Sequence, residues 1–299
     1  MEFNKIIVNN VKTKETIYTY LKRNGYSENY VKNLRKKEGF IKLNGKTSFT
    51  NALVNDGDLI ELCKNPNTPS SVMHCMLQLN IVYEDDDLLI VNKPSGLVTS
   101  ASKSHYTQNL TGAIASHMSS KDNNFVVRIV NRLDKDTCGL IIVAKHSLCS
   151  NLLSNSPIKK TYYAIVTGKI CNEVTINKNI LTSKNALGYN NQKREISNLG
   201  KPAITHVEPI YFDGINTLVK LNLHHGRTHQ IRVHLAHIGH PLLGDVLYGQ
   251  PSTLIDHTAL ICKEIEFIHP FTKEEIKISI PFDQHFKNYL SGYTKLEQF

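Results

Sequence analysis

The sequence predicts an α+β fold, a large mixed and mainly antiparallel sheet preceded by a small α/β unit. Two observations carry this reading. From about residue 79 onward, short apolar runs recur between Gly, Pro, Asn and Asp, so strands outnumber the helices inserted among them. Before residue 65 the texture differs, with two short basic helical patterns followed by a hairpin pattern. A chain of 299 residues also exceeds one typical small domain. The expected division is a first unit over 1–64, a linker over 65–78 and a second domain over 79–299.

The elements follow in order. "ETIYTYLKRNG" puts Ile17, Tyr20 and Leu21 on one helical face and ends at Gly25. "SENYVKNLRKKEG" opens with Ser27 as N-cap and closes at Gly39. "FIKLNGK" alternates apolar and polar and meets an Asn-Gly turn, and "DGDLIELCK" turns at Asp56-Gly57 into a strand. "NPNTPSSVMH", 65–74, has linker composition. "NIVYEDDDLLIVNKPSG" gives two strands around an acidic turn, and "LIIVAK", "TYYAIVTGKI", "AITHVEPIYF", "TLVKLNL" and "IKISIPF" give more. "TQNLTGAIASHM" and "THQIRVHLAHIG" are helices, the second expected to be capped by Thr228 and stopped at Gly239 and Pro241.

The formal charge is +9, and residues 1–64 carry 12 Lys/Arg against 7 Asp/Glu. A basic excess this dense suits a polyanion. Lys32, Arg35, Lys36 and Lys37 are placed to meet phosphates, although a solvated helix face has the same pattern. Six scattered cysteines without a C-x-x-C pair read as reduced thiols. The start, "MEFNKIIVNNVKTKET", has neither a signal-peptide core nor a transit pattern, so a cytoplasmic location is expected. No apolar block reaches membrane length, so no membrane partner is expected.

Two segments hold the candidate chemistry. "NRLDKDTCGL", 131–140, sets two carboxylates and an arginine at the doorstep of a strand. A simple turn and an active-site aspartate both fit it. In "NLHHGRTHQIRVHLAHIGHPLLGDVLYG", Ile231, Leu235 and Ile238 face a core, and Arg232 lies one residue from that stripe. A half-buried guanidinium needs a carboxylate, and Asp134 or Asp136 would serve. The six histidines here (His224, His225, His229, His234, His237 and His240) point around the whole helix with no H-E-x-x-H, so no metal is expected.

Taken together, "YEDDDLLIVNKPSGLVT", "NRLDKDTCGLIIVAK", "KKTYYAIVTG", "GKPAITHVE", "GRTHQIRVHLAHIGHPLLGDVLYG" and "FIHPFT" resemble, in the same order, the RluA/RluD-type pseudouridine synthases. The match covers roughly 79–282. A less specific likeness, ending in "VKNLRKKEGFIKLNGK", is to the S4 RNA-binding domain that can precede them. The resemblance implies a pseudouridine synthase catalytic domain after a small α/β S4-like domain. By it, Asp134 is the catalytic aspartate and Arg232 pairs with it. Tyr162 stacks on the target uracil, and Arg132 helps displace the nucleotide. Arg227 and His229 join the expected RNA contacts. The expected partner is structured RNA, large-subunit ribosomal RNA first and transfer RNA second, with the protein a monomer. An RNA-binding assembly factor without activity is the alternative of another class. Breaking the C1′–N1 bond, rotating the uracil and rejoining it through C5 involves no redox change, so no cofactor is expected. Asn131 and Cys138 stand where the family usually has His and Ser, Ile261 falls where many relatives read L-H-A, and Glu28 stands where S4 domains often carry a basic residue.

Overall fold

A computed structural model describes residues 1–66, 74–100, 108–119, 125–182 and 193–292. Residues 67–73 of the expected linker and 293–299 of the expected second domain lie outside the described residues.

The N-terminal part contains β1 (Phe3–Ile7), α1 (Ile17–Arg23), α2 (Glu28–Leu34), β2 (Ile41–Leu43), β3 (Lys46–Thr47) and β4 (Leu59–Cys63). The strands form an antiparallel sheet in the order β1-β4-β2-β3. Thr16 caps α1 in a reciprocal capping box with Thr19, and Ser27 caps α2. Asn44 and Gly45 have φ of 51° and 79°, the double positive φ a tight hairpin needs. Ile17, Leu21, Val31, Ile60 and Leu62 are fully buried between helices and sheet. β1 was not expected. Its residues alternate weakly, and it becomes a strand by pairing with the whole length of β4.

The remaining elements are β5 (Ile81–Glu84), β6 (Leu88–Lys93), α3 (Leu110–Ser119), β7 (Arg128–Ile129), β8 (Cys138–Ala144), α4 (Ser147–Ser154), β9 (Lys159–Thr167), β10 (Val174–Asn177), β11 (Ile180–Thr182), β12 (Arg194–Ile196), β13 (Ile204–Phe212), β14 (Asn216–Leu223), α5 (Gln230–His237), β15 (Leu260–Ile268), β16 (Glu275–Ser279) and α6 (Gln284–Tyr289). β11 and β12 pair apart from the rest. The others build one sheet in the order β10-β13-β14-β9-β15-β8-β6-β5, with β16 added to β15 and β7 to β8. Its ladders are antiparallel except β8–β15, where Ile261 faces Cys138 and Cys262 faces Gly139. The mixed, mainly antiparallel sheet is the one expected. Gly139 is required at the parallel contact: its φ is 114°, and a Cβ there would lie 2.3 Å from the Cys262 carbonyl oxygen.

Helix α5 corrects one expectation. It begins at Gln230, with His229 in the cap position at φ 56° and no side-chain cap bond, so Thr228 is not the cap. The His229 ring is committed elsewhere, to Tyr248.

The N-terminal part is docked on α4, another element the sequence reading missed. Leu148 is fully buried within the N-terminal core. Asn151 accepts from the Ser27 N–H at 2.7 Å, and Asn155 donates to the Gly25 carbonyl at 2.8 Å. Leu148→Ala is expected to cost about 2–5 kcal/mol, because the small N-terminal core cannot collapse onto the cavity. Urea unfolding checks this, and a loss below about 1 kcal/mol would show that the α4 contact does not stabilise the N-terminal part.

Candidate active site

The loop between β7 and β8 carries Asp134, and it is held almost entirely through its carbonyl groups. Lys93 is fully buried, and its ammonium donates to the carbonyls of Pro94, Leu97 and Lys135 at 2.8, 2.8 and 2.9 Å. Burial pushes this lysine down to about 8. The Thr99 hydroxyl donates to the Leu133 carbonyl, and the Ser95 hydroxyl to that of Asp136. The "NKPSGLVT" stretch therefore satisfies three carbonyls flanking Asp134. At the loop entrance, the Asn131 amide donates to the Leu140 carbonyl at 3.0 Å and accepts from the Ile142 N–H at 2.8 Å. This splices the loop to β8, so the unusual Asn has a structural occupation of its own.

Arg232, on the first turn of α5, faces this loop. Its principal partner is Asp245, which the sequence reading did not consider. Nε and Nη2 donate to the two oxygens of Asp245, both at 2.7 Å. Asp245 is fully buried, and it also accepts from the N–H groups of Leu247 and Tyr248. Burial alone would raise the Asp245 carboxyl, but Arg232 outweighs it and holds the group below its ordinary value. Burial likewise opposes the charge on Arg232, and the Asp245 carboxylate overcomes it. With one edge of the guanidinium taken, Nη1 is left pointing towards Asp134 Oδ2, 3.8 Å away. That is an ion-pair distance, too long for a hydrogen bond. The expected Arg232–Asp134 pairing is thus present as the weaker of two contacts, and the ion pairs of Arg232 do not include Asp136.

Tyr248 completes the frame. Its ring lies under the Arg232 guanidinium at 5.3 Å, and its hydroxyl meets His229 Nδ1 at 3.0 Å. Burial lowers the His229 pKa, which favours a neutral imidazole. Its Nε2 sits 3.8 Å from Asp134 Oδ2. Asp134 itself stays accessible, its side chain 26% exposed.

These groups open onto a cleft of about 190 Å³ whose lining includes Arg132, Asp134, Tyr162, Arg227, His229 and Arg232. The cleft thus collects six sequence-predicted residues from three stretches of the chain. Tyr162 and Tyr163 separate as strand alternation requires. Tyr162 enters the cleft, while Tyr163 packs edge-on against Phe282 at 5.3 Å. Burial and the Cys262 thiol raise Tyr162 well above a normal phenol, so it stays neutral. Arg132 and Arg227 are exposed at the rim. Lys32, Arg35, Lys36 and Lys37 are exposed on the N-terminal part and do not line the cleft. Of the other histidines, His234 is buried between Thr205 and the Lys178 carbonyl, and His240 bonds the Thr167 carbonyl.

The family described as RNA pseudouridylate synthase matches residues 87–237, a span holding Asp134, Tyr162 and Arg232. The chain belongs to the RNA pseudouridine synthases, of the RluA/RluD type. It is 37% identical over 260 residues to the uncharacterized RNA pseudouridine synthase YhcT of Bacillus subtilis (strain 168), covering 85% of each chain. It is 32% identical over 268 residues to the ribosomal large subunit pseudouridine synthase D of Pseudomonas aeruginosa, covering 84% of this chain and 82% of the relative. In fold it resembles the human RNA pseudouridylate synthase domain containing 4, with a TM-score of 0.57 and 19% identity over 71% of this chain and 92% of that one. The RluA/RluD-type enzyme isomerises uridine in RNA.

Asp245→Asn tests the frame. It leaves the Arg232 charge buried with a neutral partner and is expected to cost about 3–5 kcal/mol. Because Asp245 is held below the ordinary 3.8, its contribution is complete above that value and lost as pH falls through the lowered one. Acid titration of stability should therefore be flatter below 3.8 in the variant. An unchanged midpoint and unchanged acid limb would refute the pairing.

Proposed function

We propose that Asp134 is the group that attacks at the ribose of the target uridine, and that the substrate is structured RNA, large-subunit ribosomal RNA first. The observation that carries the first half is the accessible Asp134 carboxylate at the cleft mouth, opposite the free corner of Arg232 and beside Tyr162. A uridine in a stacked helix cannot reach a cleft, so it must leave the stack, at a cost of a few kcal/mol. The neutral Tyr162 face offsets about 1–3 kcal/mol of that by stacking. Arg132 at the rim takes the vacated place or a flanking phosphate, and Arg227 and His229 line the approach. Asp134 serves as nucleophile at C1′ or as base at C2′, and the residues around it suit both routes. Asp134→Asn should abolish pseudouridine formation in a uridine-containing RNA while folding and RNA affinity persist. Turnover in that variant sinks the assignment.

The choice of ribosomal RNA is supported by the name of the relatives that act on the large subunit, the Pseudomonas aeruginosa protein among them. The reading also takes the N-terminal part as an S4-like RNA clamp working in the cytoplasm. Arg35 stacks on Tyr18 at 4.9 Å and bonds Thr50, while Lys36 and Lys37 are exposed. Phe49, 59% exposed, lies beside Arg35 and Lys37 as a ready stacking surface. Glu28, the departure noted above, is absorbed locally by Tyr18 at 2.7 Å and by Lys22 and Lys32. Replacing Lys32, Lys36 and Lys37 by Ala should weaken binding for all RNA sequences alike and reduce the slope of log K against log salt by about 2. An unchanged slope removes the clamp. Mapping pseudouridines in ribosomal and transfer RNA from cells with and without the protein decides the substrate.

A further inference from the structure

A second constellation lies away from the cleft, where the start of β8, the segment before β15 and the start of α6 converge. Cys138 Sγ lies 3.5 Å from Asp283 Oδ2, and His257 Nε2 lies 3.7 Å from the same oxygen. The sulfur, the imidazole nitrogen and the carboxylate oxygen all fall within 4.8 Å of one another. The His257 side chain is only 10% exposed, and its buried Nε2 has no hydrogen-bond partner. Its other nitrogen, Nδ1, is engaged by Asp256 Oδ1 at 2.8 Å. Asp256 thus holds the ring from one side, with Nε2 on the other side facing Asp283 and Cys138.

We propose that Cys138, His257 and Asp283 form a Zn2+ site, with Asp256 orienting the histidine. The donor set of one thiolate, one imidazole and one carboxylate is of the kind Zn2+ takes. One of the spacings already agrees. With Zn–S near 2.3 Å and Zn–O near 2.0 Å, a tetrahedral S···O edge is about 3.5 Å long. That is the Cys138–Asp283 separation, already in place. A carboxylate on the far nitrogen of a ligating histidine is the arrangement that fixes such a ring for metal. The fourth position faces a cleft of about 1060 Å³ lined in part by Asn92, Asp256 and His285, which gives the ion an entry path. Binding replaces the Cys138 S–H proton, which leaves to solvent. The Asp85, Asp87 and His269 group, at the other end of β6, differs, because Asp87 already pairs with Lys64 at 3.5 Å and bonds His146 at 2.7 Å.

The ion would tie α6 and the segment before β15 to β8 at a point four residues from Asp134. This inference does not depend on the proposed role of Asp134. The test uses the full chain, stripped with a chelator and titrated with Zn2+ alone, then with Co2+ alone. The expected result is one ion per chain and, with Co2+, a thiolate-to-metal charge-transfer band. Cys138→Ser should remove the band and lower Zn2+ affinity at least tenfold. Asp256→Ala, at a position whose side chain is 81% exposed, should keep the fold and lower affinity about 10–100-fold. Cys171→Ser, at the exposed cysteine, should change nothing. No stoichiometric binding, a Co2+ complex without the band, or equal affinity in Cys138→Ser each overturns the proposal.

Discussion

The fork of hydrogen bonds between Arg232 and Asp245 is the contact on which the cleft depends. A buried guanidinium and a fully buried carboxylate are each costly alone, and together, with two backbone N–H groups on the acid, they become tolerable. The gain is geometric rather than energetic. Bidentate bonding fixes the plane of the guanidinium, so that its last nitrogen points at one place. Tyr248 beneath the plane and His229 against the Tyr248 hydroxyl then set the second wall. Asp134 is the one acid in this arrangement left without a hydrogen-bonded cation, and it is the one that solvent reaches.

Much of this was visible in the sequence because alternation and helical spacing are local. Strand alternation separated Tyr162 from Tyr163, and the Ile231–Leu235–Ile238 stripe placed Arg232 near a core. The same spacing showed that Arg232 needed an acid but not which acid. Asp245 follows the helix stop at Gly239 and Pro241, and periodicity carries no information across a turn. Lys93 stood in the sequence only at the end of a strand pattern, since its burial depends on a loop some forty residues later closing over it. Helix α4 is only eight residues long, and its apolar Leu148, Cys149, Leu152 and Leu153 alternate with Ser and Asn over barely two turns. It lies between two cores, with Leu148 and Leu152 in the N-terminal one and Cys149 and Leu153 in the other, which a window along the chain cannot show. Thr228 looked like a cap by composition, and tertiary use of His229 moved the helix start.

The departures from the usual motif divide in the same way. Asn131 supports the loop through two backbone bonds, a task that its short amide performs without reaching the cleft. Cys138 faces away from Asp134, towards Asp283, and belongs to a different set of neighbours altogether. Two departures in one motif thus bear on two separate places, the loop entrance and the start of β8.

The lysine beneath that loop has a thermodynamic corollary. Its ammonium and the two hydroxyls near it give the backbone around Asp134 its bonding partners in the free protein. Conformational freedom there is surrendered when the chain folds, not when a ligand arrives. An RNA whose target nucleotide already bulges out then avoids part of the unstacking cost, an advantage that no change in the enzyme's shape need supply.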